Sequence, residues 1–369
     1  MLRVAMISPL FESVPPKLYG GTERVVFQLC QGLYEQDVEV VLFASGDSLV
    51  ECSLMAIVPE ALRLKQPPVH DSLAFHYQMM SEVARRASEF DLIHNHSDYW
   101  MLPLTQMTHT PLLTTLHGRL DLTDAHGAYR SFHPSSFISI SNAQRRPLMD
   151  LPWLKTIHHG LDLETFQFHP KPGQYLAFLG RICQEKRPEW AIQIAKQSGV
   201  PLKIAAKIEG KVGQDYYSQY VEPHVDGQFI EYVGEISEQE KSEFLGNALA
   251  LVFPIDWPEP FGLVMIEALA CGTPVIARPC GSVPEILKDG VTGFLHSDLE
   301  VLAQKVALLS QINRSDCRQW VEDRFSLQRM TEDYLNVYRQ LAATQNHPSH
   351  HRRDFLYPLQ RTPLRDSKD

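Results

Sequence analysis

The sequence is poor in the features that would mark several common protein classes. Its six cysteines (30, 52, 183, 271, 280 and 317) form no C-x-x-C pair and no framework spacing. Most lie in apolar segments, so reduced core thiols in a cytosolic protein are expected rather than disulfides. No apolar run reaches the roughly 18 residues a membrane helix needs. The opening M-L-R-V-A-M-I-S-P-L is too short for a signal-peptide core and reads as a first strand. Positive charge is not in excess. A formal net charge of −10 argues against nonspecific nucleic-acid binding and gives no pull toward an anionic membrane. The glycines at 20 and 21 do not build G-x-G-x-x-G, so a dinucleotide site is poorly supported. Metal-ligand patterns are also thin. Asp162-Leu163-Glu164 reads as a turn, and His94-x-His96 lacks a third ligand, so no metal site is expected.

What is present is a long alternation of apolar runs and helical patterns. At 369 residues and 44% apolar content the chain is large enough for two ordinary domains. Residues 2–7 read as a strand. Gly20-Gly21 then makes a turn, Thr22 offers a helix cap, and Val25, Val26, Leu29 and Leu33 follow at helical spacing before a second strand at 38–44. This is the opening of a doubly wound α/β unit. A helix at 71–90 and strands at 91–94, 112–116 and 137–141 continue it, and the strand at 112–116 ends in His117-Gly118. The proline- and glycine-containing segment 169–173 is linker-like. After it come strands at 175–180, 202–206, 230–233 and 250–253, helices at 189–197 and 237–247, and a loop at 208–213. The reading is two Rossmann-like units, 1–168 and 173–325, facing one cleft. Ligands in such sheets bind beyond the carboxyl ends of the strands, which is where His117 and the pair Arg181 and Lys186 fall. An arginine and a lysine five apart at a strand end suit a pyrophosphate, although an isolated pair of this kind is also found in solvated turns.

Residues 253–295 carry the densest pattern: F-P-I-D-W-P-E-P-F-G-L-V-M-I-E-A-L-A-C-G-T-P-V-I-A, then G-S-V-P-E-I and D-G-V-T-G-F-L. Pro260 suits the first position of a helix that Gly272 would end. The amides of Phe261, Gly262 and Leu263 would then be free at a helix N-terminus, an anion site. Gly262 removes the side chain where a ligand would come close. Glu267, about 6–9 Å further along at 1.5 Å per residue, would reach a ribose beside a phosphate held at the tip. A capped helix with a salt-bridged Glu267 is the plainer alternative.

With Glu259 and Glu267 in an E-x7-E arrangement, this run resembles glycosyltransferase family 4, whose members are retaining GT-B enzymes. The resemblance extends from residue 1 to about 341, as read against residues, and implies the following expectations. A hexose moves from a nucleoside diphosphate sugar to an acceptor hydroxyl with retention of configuration, in glycan, glycolipid or polysaccharide synthesis. Glu259 contacts the donor sugar, the amides of Phe261, Gly262 and Leu263 hold sugar and phosphate, and Glu267 holds the ribose hydroxyls. Arg181 and Lys186 hold the diphosphate, Gly20 and Gly21 approach diphosphate and acceptor, and His117 lies near the transferring sugar. No metal and no cofactor are required. The segment A-A-K-I-E-G at 205–210 departs from the usual small-residue turn, which leaves base contacts open. Another GT-B enzyme, such as an epimerase or phosphorylase, and a non-catalytic nucleotide-sugar-binding subunit are the competing readings. The expected partners are the nucleotide sugar and a saccharide, lipid-linked or small-molecule acceptor, without nucleic acid. The expected location is the cytoplasm, with peripheral contact at the inner membrane face left open.

The end of the chain has three parts. Residues 299–311 are amphipathic. Residues 326–343, with Met330, Tyr334, Val337 and Tyr338 at helical spacing, are expected to form a helix that crosses back to the first unit. Residues 344–369 lack periodicity and are expected to be disordered. Their His350-His351-Arg352-Arg353 run offers a weak anionic-surface contact as against a solvated tail.

Overall fold

The computed structural model describes residues 1–345 apart from 19 and 64. The expectations for the tail from 346 onward, including the basic run at 350–353, lie outside the described residues. Residues 344 and 345 belong to the last helix, Leu327–Gln345.

Two all-parallel sheets form the frame. The first contains β1 (Arg3–Ile7), β2 (Glu39–Ser45), β3 (Ser53–Val58), β4 (Leu92–Asn95), β5 (Leu112–Leu116), β6 (Ser136–Ser139) and β7 (Trp153–Thr156). Its order is β3-β2-β1-β4-β5-β6-β7. The second contains β8 (Leu176–Arg181), β9 (Leu202–Lys207), β10 (Ile230–Gly234), β11 (Ala250–Phe253), β12 (Val275–Ala277) and β13 (Gly293–Leu295), in the order β10-β9-β8-β11-β12-β13. Both orders reverse direction after their first strand, at β1/β4 and β8/β11. These switch points open crevices at the carboxyl ends of the strands. Two Rossmann-like domains of GT-B type result. The linker-like segment 169–173 lies between β7 and β8.

The central strands are continuous apolar runs because helices cover both faces of a parallel sheet. Val4, Ala5, Met6 and Ile7 are fully buried. Separate apolar clusters fill the two faces of the first sheet, and one larger cluster surrounds the second. The last helix returns to the first domain. Met330, Tyr334 and Tyr338 pack with Val25, Leu29 and Leu33 of the helix Gly21–Tyr34. The Tyr338 hydroxyl pairs with His94 Nδ1 at 2.6 Å, and Tyr334 with Thr115 at 3.1 Å. Main-chain bonds Leu161 N to Phe325 O and Leu327 N to Leu161 O, both 2.8 Å, lock the crossover.

Several local expectations need correction. The first helix starts at Gly21 with Gly20 as its cap residue, so Thr22 lies inside the first turn and caps nothing. The segment 208–213 is not all loop, because a helix, Gly210–Tyr220, begins within it. The helix Arg314–Arg324 and the strands β3 and β7 have no counterpart in the sequence reading. The cysteines need no such correction, because all six are free thiols.

Candidate active site

A cleft of about 650 Å³ runs between the domains. Gly20, Gly21 and His117 line it from the first domain. Arg181, Lys186, Glu259, Phe261, Gly262, Leu263 and Glu267 line it from the second. Every residue expected at the site is therefore in one place, although the two halves are far apart in sequence.

The segment after β11 is shaped by glycines. Gly262 has φ 83°, in the left-handed region. This residue turns the chain into the helix Leu263–Ala270, so the helix begins three residues after Pro260 rather than at it. The proline instead belongs to the entering loop. The consequence drawn for the amides survives. Among the described residues, no protein oxygen accepts from the N–H of Phe261, Gly262 or Leu263. Gly281, at φ 60°, lies directly against the Glu259 backbone. Its neighbour Ser282 donates from its amide to Glu259 O at 2.9 Å and from its hydroxyl to Phe261 O at 2.8 Å. The G-S pair thus clamps the E-P-F loop from behind.

Glu259 is 7% exposed and carries a buried ion pair with Lys186. Its Oε2 also accepts from Trp257 Nε1 at 3.0 Å. The Lys186 ammonium lies 5.1 Å and 5.3 Å from the ring centres of Trp257 and Phe253. The negative faces of those rings attract the ammonium and help to hold it in place. Arg181 ends β8 beside Glu209, 3.7 Å away. Glu267, 2% exposed, accepts from Lys241 at 3.0 Å, and Lys241 also meets Glu238 at 3.0 Å. Glu238 in turn pairs with Arg24 of the first domain. Charge thus bridges the cleft from helix to helix. Gly21 faces Leu263 across it, and a side chain at 21 would reach within 3.8 Å of the leucine.

His117 follows β5, as the strand-end rule requires. Its Nε2 pairs with His96 Nδ1 at 2.8 Å, and its ring stacks on His159 at 5.3 Å. Burial lowers the His117 pKa to about 3 and holds His94, His96 and His159 well below the ordinary histidine value. All four rings are therefore neutral near pH 7. His94, His96 and His117 bond to one another and to the Tyr338 and Thr115 hydroxyls, while His159 meets His117 by ring stacking. Among the described residues, no group of three or more His, Cys, Asp or Glu is arranged to hold a metal. The turn at Asp162 caps a short 3-10 segment, Leu163–Thr165, through its own side chain.

The comparisons with known proteins follow the same division. A family model described as "Glycosyltransferase Family 4" matches residues 19–165, and one described as "Glycosyl transferases group 1" matches residues 163–323. The chain is a GT-B glycosyltransferase resembling family 4. The D-inositol 3-phosphate glycosyltransferase of Mycobacterium marinum is 24% identical to this transferase over 76% of the chain and 71% of that protein. The phosphatidyl-myo-inositol mannosyltransferase of Mycobacterium leprae is 26% identical over 80% of the chain and 83% of that protein. Among solved structures, HepE from Anabaena in complex with UDP and glucose has a TM-score of 0.72 at 20% identity, covering 92% of this chain and all of that one (100%). Among the described residues of the transferase, no helix is long and apolar enough to cross a membrane.

The sequence reading did not name Trp257, Lys241, His159 and Ser282 as site residues. Trp257 and Ser282 lie within the dense 253–295 run. His159 lies in the run I-H-H-G-L-D at 157–162, which resembles the family's turn before the domain crossover, and Lys241 carries no local pattern and reaches the cleft only through tertiary folding.

Proposed function

We propose that the transferase moves a hexosyl group from a nucleoside diphosphate sugar to an acceptor hydroxyl, with retention of anomeric configuration and without a divalent metal. The observation that carries this reading is one cleft wall. There the Lys186–Glu259 pair, Arg181 and the unpaired amides of residues 261–263 surround a space open to the opposite domain. Negative charge grows on the leaving diphosphate as the sugar bond breaks. Fixed cations and helix-end dipoles stabilise such charge without reorganising. Arg181 and Lys186 take that role, with the amides of Phe261, Gly262 and Leu263. Glu259, aligned by Lys186 and Trp257, faces the sugar. Glu267 receives the ribose hydroxyls. Gly20 and Gly21 let the first domain approach the diphosphate. Neutral His117 offers a hydrogen bond rather than a charge. The complex of HepE with UDP and glucose supports a nucleotide-sugar donor for this fold. We take 1–168 and 173–325 as the two domain units, and the cytoplasm as the site of action.

The test is steady-state transfer or donor hydrolysis by native protein and Glu259→Ala, with and without a chelator. Turnover is expected to fall on the order of 100-fold in Glu259→Ala, with a smaller change in donor KM, and to be unmoved by chelator. Loss of activity in chelator with rescue by manganese would remove the metal-free reading. Near-native turnover of Glu259→Ala would remove the role given to that residue.

A further inference from the structure

Opposite the diphosphate wall, the cleft has a second lining whose chemistry differs. It is formed by Phe11, Glu12, Glu23, Leu62, Arg63 and Val69, all from the first domain. Three observations define it. First, Glu12 and Arg63 are paired through two contacts, Nε to Oε1 and Nη2 to Oε2, the second at 3.3 Å. Arg63 is therefore already neutralised. Second, Glu23 is only 6% exposed and lines the cleft, and its carboxyl hydrogen-bonds the main chain at its own residue. A carboxyl group has about four lone-pair sites, so that one local bond leaves it capacity for the hydroxyls of a ligand. Third, the carboxyls border an apolar strip. Phe11 stands 6.0 Å from Trp100 and 5.3 Å from His76, ring centre to ring centre, with Leu62 buried beside this lining.

The nearby cations are also committed. Arg24 pairs with Glu238 and donates to Leu18 O at 3.2 Å. Lys207 meets Glu209 at 2.9 Å. A phosphorylated or carboxylated acceptor would face two carboxyls here and would have to break an existing pair to find a cation. An uncharged polyol meets no such opposition. Its C–H face fits the apolar strip, and its hydroxyls can donate to Glu12 and Glu23. Pockets of this composition, apolar with a few aimed polar groups, orient small ligands.

We infer that this lining is the acceptor subsite and that it takes a neutral saccharide or polyol unit, held by Glu23 and the Glu12–Arg63 pair, in preference to an acceptor bearing an anion at that position. The inference rests on the proposed glycosyl transfer for its functional meaning. Burial raises the Glu23 pKa to about 7, with the neighbouring Glu12 contributing, so near neutrality the group both donates to and accepts from hydroxyls.

The experiment uses the native full-length protein and matched probe pairs: myo-inositol with inositol 3-phosphate, and methyl α-glucoside with glucose 6-phosphate. Saturation-transfer NMR reads binding of each probe directly, and donor hydrolysis is recorded separately. Neutral probes are expected to bind about ten-fold or more tightly than their phosphates. Glu23→Ala is expected to weaken the neutral probes by about ten-fold, the loss of one charged or strong hydrogen bond. Glu23→Gln, which keeps a donor and an acceptor, is expected to recover part of that binding. Preference for the phosphates, no binding of any neutral probe, or undiminished binding in Glu23→Ala overturns the inference. If donor hydrolysis fails while the neutral probes still bind at Glu23, the proposed reaction falls and the polyol site stands.

Discussion

Gly281→Ala should separate the position of Glu259 from its mere presence. An added Cβ at 281 would lie 2.3 Å from Glu259 N, 2.4 Å from Glu259 O and 2.6 Å from Pro258 C. All three atoms are main chain and cannot rotate away. Ordinary contacts between carbon atoms sit at about 3.5–4.0 Å, so the 257–262 loop must retreat by roughly 1 Å. Alanine at φ 60° adds about 1–2 kcal/mol of backbone strain. That retreat weakens the 2.9 Å bond from Ser282 N to Glu259 O and shifts the carboxylate against Lys186. A displacement of about 1 Å at a reacting centre can cost roughly 100-fold in rate. The assay is donor turnover at saturation, alongside Tm and circular dichroism. Turnover should fall about 100-fold while the protein stays folded. Gly290→Ala is the control. Gly290 has φ 74° but open space around its Cβ direction, so strain alone is tested there. It should lower Tm modestly and leave turnover near native. Turnover of Gly281→Ala within about two-fold of Gly290→Ala would refute the positioning argument.

Lys186→Met leaves Glu259 as a buried carboxylate without its cation. It should destabilise by about 3 kcal/mol in denaturant unfolding, and Glu259→Gln in the same chain should restore most of that stability without restoring turnover. Additive losses would show that the pair is not coupled. The buried titratable groups predict opposite pH limbs. The folded-state pKa of His117 is depressed to about 3, so its contribution is lost as pH falls from roughly 6.5, the free value, toward 3. Its ring signal should not titrate by NMR between pH 8 and 5. Glu23 is raised from 4.5 to about 7, so its contribution is fully present below pH 4.5 and is lost as pH rises through 7. Glu23→Gln should flatten that second limb in a Tm-against-pH series.

The sequence made some of this readable for a physical reason and hid the rest for another. Central strands such as β1, β5 and β11 are covered on both faces, so they appear as unbroken apolar runs. The strands β3 and β7 lie at sheet edges and are partly exposed, which breaks the run. The helix Gly210–Tyr220 starts on a glycine, contains another, and buries only Gly213, so it presents no apolar stripe. Arg314–Arg324 is similarly polar, with Cys317 and Val321 as its buried apolar residues. Gly262 was legible as a close-approach residue, but its left-handed φ was not, and that single dihedral moved the helix start away from Pro260. Ion pairs between domains, such as Arg24–Glu238, leave no sequence pattern because they depend on how the two units meet. His117 and Arg181 were readable because they sit at strand ends, and Glu259 to Glu267 because they fall in one short loop-and-helix run, where local spacing already sets geometry.

The central claim, that this cleft binds a nucleoside diphosphate sugar through Arg181 and the 261–263 amides, is tested most directly by a donor screen. Thermal stability and donor hydrolysis are measured with UDP-glucose, UDP-galactose, UDP-GlcNAc, GDP-mannose and ADP-glucose, on native protein and on Arg181→Ala. At least one donor should stabilise and be hydrolysed by the native protein, with both effects lost in the variant. A variant that shifts as strongly as native protein, or no response to any donor, would contradict the claim.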